Sequence, residues 1–341
     1  MKAVIHHQYG PPDEVLSIGE IDKPVPGDEE VLVRVRAACV HADLWHSVTG
    51  TPYSWRMMLG WRAPIHPVPG TDLAGIVESV GTRVTRFKPG DEVFGATVRS
   101  FALGNWGAFA EYASAPEQSL ALKPGNVTFE QAASVPASGY IAFSNLIPAG
   151  TSMERQRVLV NGAGGGVGTI ALQMLKARGA HVTAVDAGPK LAMLQSLGAD
   201  ETIDYTRTNF LEQGLQYNLI FDIASNFSLQ ECRRVLKPAG LFVWIGHEHY
   251  GRAKGGRFLG RGFPQMFRLM ARGVFGDPNL PKLKFPIVIP SLKDAIAAMQ
   301  HLMAEGKLIP FVQRAYPLES VAEAFRALEE GKVLGKVVVV M

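Results

Sequence analysis

The stretch Arg157–Gly168, read RVLVNGAGGGVG, decides how the rest of the chain is organised. Val158, Leu159 and Val160 form a short apolar run, the mark of a parallel strand buried on both faces. A glycine-rich turn follows, and Thr169–Arg178 (TIALQMLKAR) then shows apolar residues at helical spacing. Strand, glycine turn and helix in that order form the context in which a dinucleotide fingerprint is credible. Amides at the helix start and the positive end of its dipole favour a pyrophosphate, and only residues without bulk let phosphates come close. The register that fits is Ala163-x-Gly165-x-x-Gly168, with alanine where the usual pattern opens on glycine.

Beyond the helix, Gly179 ends it and His181–Val185 reads as a second strand closing on Asp186. A carboxylate at that point accepts hydrogen bonds from the adenosine ribose hydroxyls and repels a 2′-phosphate, which favours NAD. Lys190, and Tyr205 after a third strand at Glu201–Asp204, are placed to meet a 2′-phosphate and favour NADP. A solvated lysine at a helix start is the plainer reading of Lys190. The cofactor is NADP(H) or NAD(H), and the sequence leaves that choice open.

The 341 residues are enough for two substantial cores. Apolar residues make up 47% and charged residues 19%, as in ordinary globular domains, and the net charge of +3 does not imply nucleic acid. No run of about 20 apolar residues is present to span a membrane, and MKAVIHHQYGPP reads as a strand entering a turn, not as a cleavable leader. With only Cys39 and Cys232, neither a four-thiolate zinc site nor a disulfide scaffold is expected, and a cytoplasmic, reduced protein is the simplest reading.

Two rhythms divide the chain. Up to residue 126, short strands at Val31–Ala37, Gly75–Val80 and Asp91–Phe94 are broken by proline and glycine turns, which predicts an antiparallel, barrel-like domain. Helices are expected at Phe129–Val135 and Gly139–Leu146. From Arg157, strands near 158–161, 181–185, 201–204, 218–223 and 241–245 alternate with helices near 168–178, 188–197, 207–213 and 228–236, the pattern of a doubly wound parallel sheet. A sixth strand is expected at Phe285–Ile289 and a helix at Leu292–Glu305; the tail carries a helix at Glu319–Glu330 and a last strand at Gly335–Val340, packed back on the first domain. Between His249 and Gly276, six basic residues from Arg252 to Arg272 stand without an acid among apolar ones. A surface excursion over the substrate cleft is favoured there above contact with a membrane or an anionic partner.

The segments PGTDLAGIVESVG (69–81), FKPGDEVFG (87–95), GAFAEYA (107–113), VPASGY (135–140), VLVNGAGGGVG (158–168) and GKVLGKVVVV (331–340) together resemble the medium-chain dehydrogenase/reductase superfamily, in its zinc-independent quinone oxidoreductase-like branch. The resemblance runs over essentially the whole chain. It implies an α/β protein: a GroES-like β-barrel catalytic domain (1–126 plus 306–341) and a Rossmann doubly wound parallel-sheet nucleotide-binding domain (127–305), with the active site in the cleft between them. At the positions matching the catalytic zinc ligands of the alcohol dehydrogenases stand His41, Thr71 with Asp72, and Ser134, and Gly95–Tyr112 lacks the cysteines of the structural zinc lobe. Hydroxyls are poor zinc ligands, so no metal site is expected.

By the same resemblance, Gly165, Gly166, Val167 and Gly168 cradle the pyrophosphate, Asp186, Lys190 and Tyr205 surround the adenosine ribose, and Ile245 and Gly246 sit beside the nicotinamide. Thr71 and Ser138 approach the nicotinamide ribose. Without zinc to polarise an alcohol, hydride transfer to a quinone or to an enal or enone asks least of the protein. His41 and Tyr53 are candidate donors to the developing oxyanion, and Asp43 would orient His41 or bind substrate. Each has a structural alternative: Tyr53 as a packing aromatic, Asp43 and Ser138 as helix caps. Rival functions are an alcohol or aldehyde dehydrogenase, and a nucleotide-binding regulatory protein with little turnover. Relatives of this branch are commonly homodimers, and the partner expected is a small hydride acceptor.

Overall fold

Alternation of valine and arginine starts the first sheet. In Glu30–Val40, Val31, Val33 and Val35 are buried while Arg34 and Arg36 face water. The strand runs on to Val40, past the predicted end at Ala37, because Ala37–Val40 gains neighbours on both sides: Leu73 and Ala74 on one, Val337–Val340 on the other. The computed structural model describes residues 1–100, 103–146, 152–246, 264, 267, 282–283 and 290–341. Of the basic stretch 249–276 only Pro264 and Phe267 fall among them, and the strand expected at Phe285–Ile289 lies outside the described residues.

Two compact units are present, Met1–Tyr140 with Pro290–Met341, and Ile141–Ile289. The helices Phe129–Ala133 and Leu292–Ala304, which the sequence reading assigns beyond the first domain, belong to the first unit. Side-chain amides tie them there: Asn126 donates to the Met303 carbonyl, Gln300 to that of Leu122 and Gln131 to that of Pro310. The first unit is a seven-stranded, mainly antiparallel sheet of GroES-like type, ordered Val312–Pro317, Lys336–Val340, Glu30–Val40, Asp72–Val80, Glu92–Ala96 and Leu120–Leu122, with Tyr112–Pro116 also paired to Glu30–Val40. The tail enters it as a crossover in which Val312–Pro317 and Lys336–Val340 run parallel around the helix Val321–Glu329. The helix Pro136–Asn145 starts three residues before its predicted position, with proline at the first helical position, where no amide is required.

The second unit is a six-stranded parallel Rossmann sheet ordered Glu201–Asp204, His181–Asp186, Arg157–Asn161, Tyr217–Asp222, Leu236–Trp244 and Lys282–Leu283. Numbered along the chain this is 3-2-1-4-5-6, so the strand order reverses between Arg157–Asn161 and Tyr217–Asp222. Two predicted helices are shorter than expected. Between 207 and 213 there is only the 3-10 turn Phe210–Glu212, capped by the Asn209 side chain. Ser228 and Glu231 form a capping box at the start of Leu229–Arg233, but the next strand begins already at Leu236, opposite Tyr217, and cuts that helix off.

Candidate functional site

In the second unit the glycine turn lies at the carboxyl end of Arg157–Asn161 and feeds the helix Gly166–Lys176. Gly165 is its N-cap and no side chain among the described residues caps it, leaving the first-turn amides of an eleven-residue helix available to an anion. The glycines divide the work. Gly162, at φ +86°, makes the reversal one residue ahead of the fingerprint, which is why Ala163 is tolerated at its first position. A Cβ on Gly168 would lie 2.4 Å from the Gly162 carbonyl oxygen and 2.5 Å from that of Ala163, so the helix packs on the turn only through glycine. At Gly165 an added Cβ meets nothing among the described residues nearer than the Gly162 carbonyl oxygen at 3.8 Å. This cradle fits a dinucleotide pyrophosphate.

Asp186 ends its strand where the sequence predicts, but its carboxylate turns inward. Oδ2 accepts the Gly164 amide at 2.7 Å and Oδ1 accepts the Ala187 amide at 2.8 Å. Lys190 Nζ lies 3.5 Å from Oδ1, with side-chain exposures of 13% for Lys190 and 9% for Asp186. Asp186 therefore fixes the shape of the glycine turn, and its charge is offset by a lysine beside the cradle. Tyr205 is attached to the same corner through its amide, which donates to the Asp186 carbonyl, while its ring is exposed.

A polar cluster at the sheet's reversal was not singled out by sequence reasoning. Asp222 Oδ1 accepts from Asn161 Nδ2 at 2.8 Å and from the Ser225 amide at 2.9 Å, and Asn161 Nδ2 also donates to Asn226. The signal available was position: like Asp186, Asp222 is the last residue of a parallel strand, and ligands of such sheets lie outside the carboxyl ends. Ile245 follows from it, its amide donating to the Asp222 carbonyl, and Gly246 turns at φ +75°.

In the first unit the structure brings together His41, Asp43, Thr71 and Asp72, and adds Lys336. His41 caps the helix Ala42–Thr49 from an extended conformation. Its Nε2 is 3.1 Å from Thr71 Oγ1, and the Thr71 hydroxyl donates to Asp72 Oδ1 at 3.1 Å. Asp72 Oδ2 accepts the Ala137 amide at 2.8 Å, which links this cluster to the turn bearing Ser138. Asp43 Oδ2 stands 4.0 Å from His41 Nδ1. Burial holds the His41 imidazole well below its usual range, aided by the Lys336 ammonium, and pushes the Asp43 carboxyl up. Burial also raises Asp72 to about 6, against the pull of Lys336 and the bonds from Ala137 and Thr71. Ser134 stands apart, donating to the Gln131 carbonyl within its own turn. The Arg56 guanidinium lies over the Tyr53 ring at 4.3 Å and over that of Tyr9 at 4.6 Å.

These donors fit zinc poorly. The Thr71 hydroxyl bridges the imidazole and the carboxylate, whose Nε2 and Oδ1 lie 3.9 Å apart, and among the described residues no three His, Cys, Asp or Glu side chains are grouped to hold a metal.

A GroES-like sheet joined to a Rossmann sheet of this order, with a phosphate cradle at its first turn, defines a nucleotide-dependent oxidoreductase. Residues 27–125 match the alcohol dehydrogenase GroES-like domain, and residues 197–339 match the zinc-binding dehydrogenase domain. The chloroplastic NADPH-dependent alkenal/one oxidoreductase of Arabidopsis thaliana is 31% identical over 99% of this chain and 79% of its own length. Human quinone oxidoreductase is 28% identical over 100% of this chain and 98% of its own. The crystal structure of Escherichia coli quinone oxidoreductase complexed with NADPH superposes with a TM-score of 0.77 at 23% identity, covering 100% of both chains. The chain belongs to the medium-chain dehydrogenase/reductase superfamily, in its quinone oxidoreductase-like branch.

Proposed function

We propose that this protein is an NADPH-dependent reductase that passes hydride to quinones or to α,β-unsaturated carbonyls without zinc. The observation that carries the reading is the hydroxyl of Thr71 bridging His41 and Asp72, at the positions from which, by the resemblance, the zinc-dependent branch holds its metal. A donor set so arranged suits proton handling, which a reduced quinone or enolate needs, better than it suits the polarisation of an alcohol. NADPH supplies the hydride; the chain supplies the cradle, the orientation and the proton.

Gly165, Gly166, Val167 and Gly168 hold the pyrophosphate through the helix start. Asp186 is spoken for by Gly164 and Ala187, so Lys190, with Tyr205 beside it, faces the 2′-phosphate. In this reading Thr71, Ser138, Ile245 and Gly246 surround the nicotinamide and its ribose, His41 and Asp43 serve the acceptor oxygen, and Tyr53 lines the approach. A cytoplasmic setting and a homodimer belong to the same proposal. Two buried free thiols, Cys39 and Cys232, support a reducing compartment. Cell fractionation and sedimentation velocity test these two points.

The deciding experiment follows NADPH and NADH oxidation with a benzoquinone, an enone and an enal, and NADP⁺ or NAD⁺ reduction with simple alcohols, each with and without a zinc chelator. Quinone- or enone-dependent NADPH oxidation that ignores the chelator is expected. Alcohol-dependent NAD⁺ reduction abolished by the chelator would favour the zinc dehydrogenase instead, and no turnover with tight NADPH binding would favour a regulatory protein.

A further inference from the structure

The hydrogen bonds of the His41 cluster have only two consistent directions. Thr71 Oγ1 carries a single hydrogen and lies 3.1 Å from both His41 Nε2 and Asp72 Oδ1. With Asp72 ionised, Thr71 donates to it, His41 Nε2–H donates to Thr71, and the ring's lone pair lies on Nδ1. With Asp72 protonated, the carboxyl donates to Thr71, Thr71 donates to Nε2, and the ring hydrogen is on Nδ1. The imidazole is neutral in both states, as its burial requires.

Across the sheet stands a cation from the far end of the chain. Val337 pairs with Val40 in the antiparallel register, so the next step sets Lys336 opposite His41. Lys336 is only 5% exposed, and its ammonium donates to Cys39 Sγ at 3.6 Å. Its charge bears on Asp72, Asp43 and His41. Among the described residues the other groups facing the cluster are Asp43 and His46 on Ala42–Thr49, the thiol of Cys39 and the amide of Ala137; Ala96, opposite Asp72 on the neighbouring strand, is uncharged. Among the described residues, one ammonium beside two carboxylates leaves room for one exchangeable proton.

We propose that Asp72, Thr71 and His41 form a proton relay to the reduced acceptor, and that Lys336 is the positioning residue that sets its direction. This deepens the reductase reading and rests on it. Hydride transfer puts two electrons and one hydrogen on the acceptor and leaves an oxyanion. The oxyanion takes the hydrogen of His41 Nδ1, Nε2 takes that of Thr71, and Thr71 takes that of Asp72. The relay ends with Asp72 ionised near the Lys336 ammonium and reloads from water. Asp72, raised to about 6 by burial and restrained by Lys336, is poised to give up its proton near neutral pH.

The test uses the full chain with ¹⁵N-labelled histidine. The ring nitrogens of His41, assigned by loss of their signals in His41→Asn, are followed between pH 5 and 8. The wild type is expected to pass from the neutral Nδ1–H form to the neutral Nε2–H form as pH rises through about 6. Asp72→Asn, whose amide oxygen accepts from Ala137 and whose NH₂ donates to Thr71, should hold the Nδ1–H form throughout. Lys336→Met should move the transition up by about one pH unit or more, with Lys336→Arg restoring it. The alkaline limb of kcat should move with it while the Kd for NADPH stays within about twofold. A single His41 tautomer at every pH, or a transition indifferent to Lys336→Met, overturns the relay even where the wild type reduces quinones. A wild type that oxidises no NADPH with any acceptor overturns the reductase reading, and with it delivery to an acceptor.

Discussion

Asp186 holds Gly164: its Oδ2 accepts the Gly164 amide at 2.7 Å, inside the same glycine turn that feeds the phosphate cradle. The strand-end carboxylate is thus part of the turn's architecture, and in the proposed reading discrimination between the two nicotinamide cofactors passes to its neighbour Lys190. Asp186→Asn puts an NH₂ against one of two amide donors and leaves it unsatisfied, at a cost of about 1–3 kcal/mol. A lower melting temperature is expected, with NADPH and NADH weakened by similar factors in a fluorescence titration. Lys190→Ala should leave the fold intact and weaken NADPH about tenfold, as loss of one charge-assisted phosphate contact does, with little change for NADH. A selective gain of NADPH binding in Asp186→Asn would contradict this assignment.

The two motif glycines should fail in different ways. Gly168→Ala drives a methyl to 2.4 Å from the Gly162 carbonyl oxygen, so backbone must move and stability should fall. Gly165→Ala meets nothing closer than 3.8 Å and should melt within a degree or two of the wild type. Its methyl enters the cradle, however, and NADPH binding should drop by tenfold or more. Calorimetry and titration on both variants separate packing from recognition.

How much of this was readable from the chain depends on how local the cause is. The turn at 157–168 and the strands at 181–186 and 201–204 are written in short-range patterns of valine, glycine and helical spacing, and they stand where those patterns put them. The direction of the Asp186 side chain is not, because it follows from where the Gly164 amide points once the turn has formed. The Lys336–Cys39 contact joins residues 297 apart, and no periodicity near either names the other. GKVVVV reads as a buried strand, and a lysine at its start reads as a solvated end until the sheet order sets it across from His41. The resemblance to the superfamily located His41, Thr71 and Asp72 as a group, whereas the hydroxyl's place between the other two is a matter of side-chain geometry.

Stability at acid pH should be governed in part by His6. The ring is buried, its Nε2 donates to the His66 carbonyl at 3.2 Å, and Nδ1 has no partner among the described residues. Burial lowers its pKa from 6.5 to about 4. The folded state keeps His6 neutral where the unfolded chain takes up a proton, so stability is lost as pH falls from about 6.5 to about 4 and is level above that range. The full loss is about 3 kcal/mol. Asp72 acts with the opposite sign, since a raised carboxyl pKa costs stability as pH rises from about 4 to about 6. Denaturant melts of the wild type and His6→Gln at pH 7, 5.5 and 4 should therefore converge by about 3 kcal/mol toward acid. Parallel curves would mean that His6 titrates in the fold as it does in the unfolded chain.

The last strand should prove indispensable to the first unit. Lys336–Val340 lies between Val312–Pro317 and Glu30–Val40, hydrogen-bonded to both, and Val337, Val338 and Val339 are 1% exposed or less. Burial of three valines is worth about 5–9 kcal/mol, comparable with the whole stability of an ordinary domain. Removing it also strips Glu30–Val40 of a neighbour and exposes an apolar edge. A chain ending at Gly335 should accumulate as aggregate and show no cooperative melt attributable to the GroES-like unit. A chain lacking only Met341, whose amide donates to the Arg36 carbonyl at 3.3 Å, should lose no more than about 1 kcal/mol. Circular dichroism melts of the two truncations make the comparison. A soluble, cooperatively melting chain ending at Gly335 would show that the sheet closes without its tail, and that Lys336 is an addition to the centre, not a member of its frame.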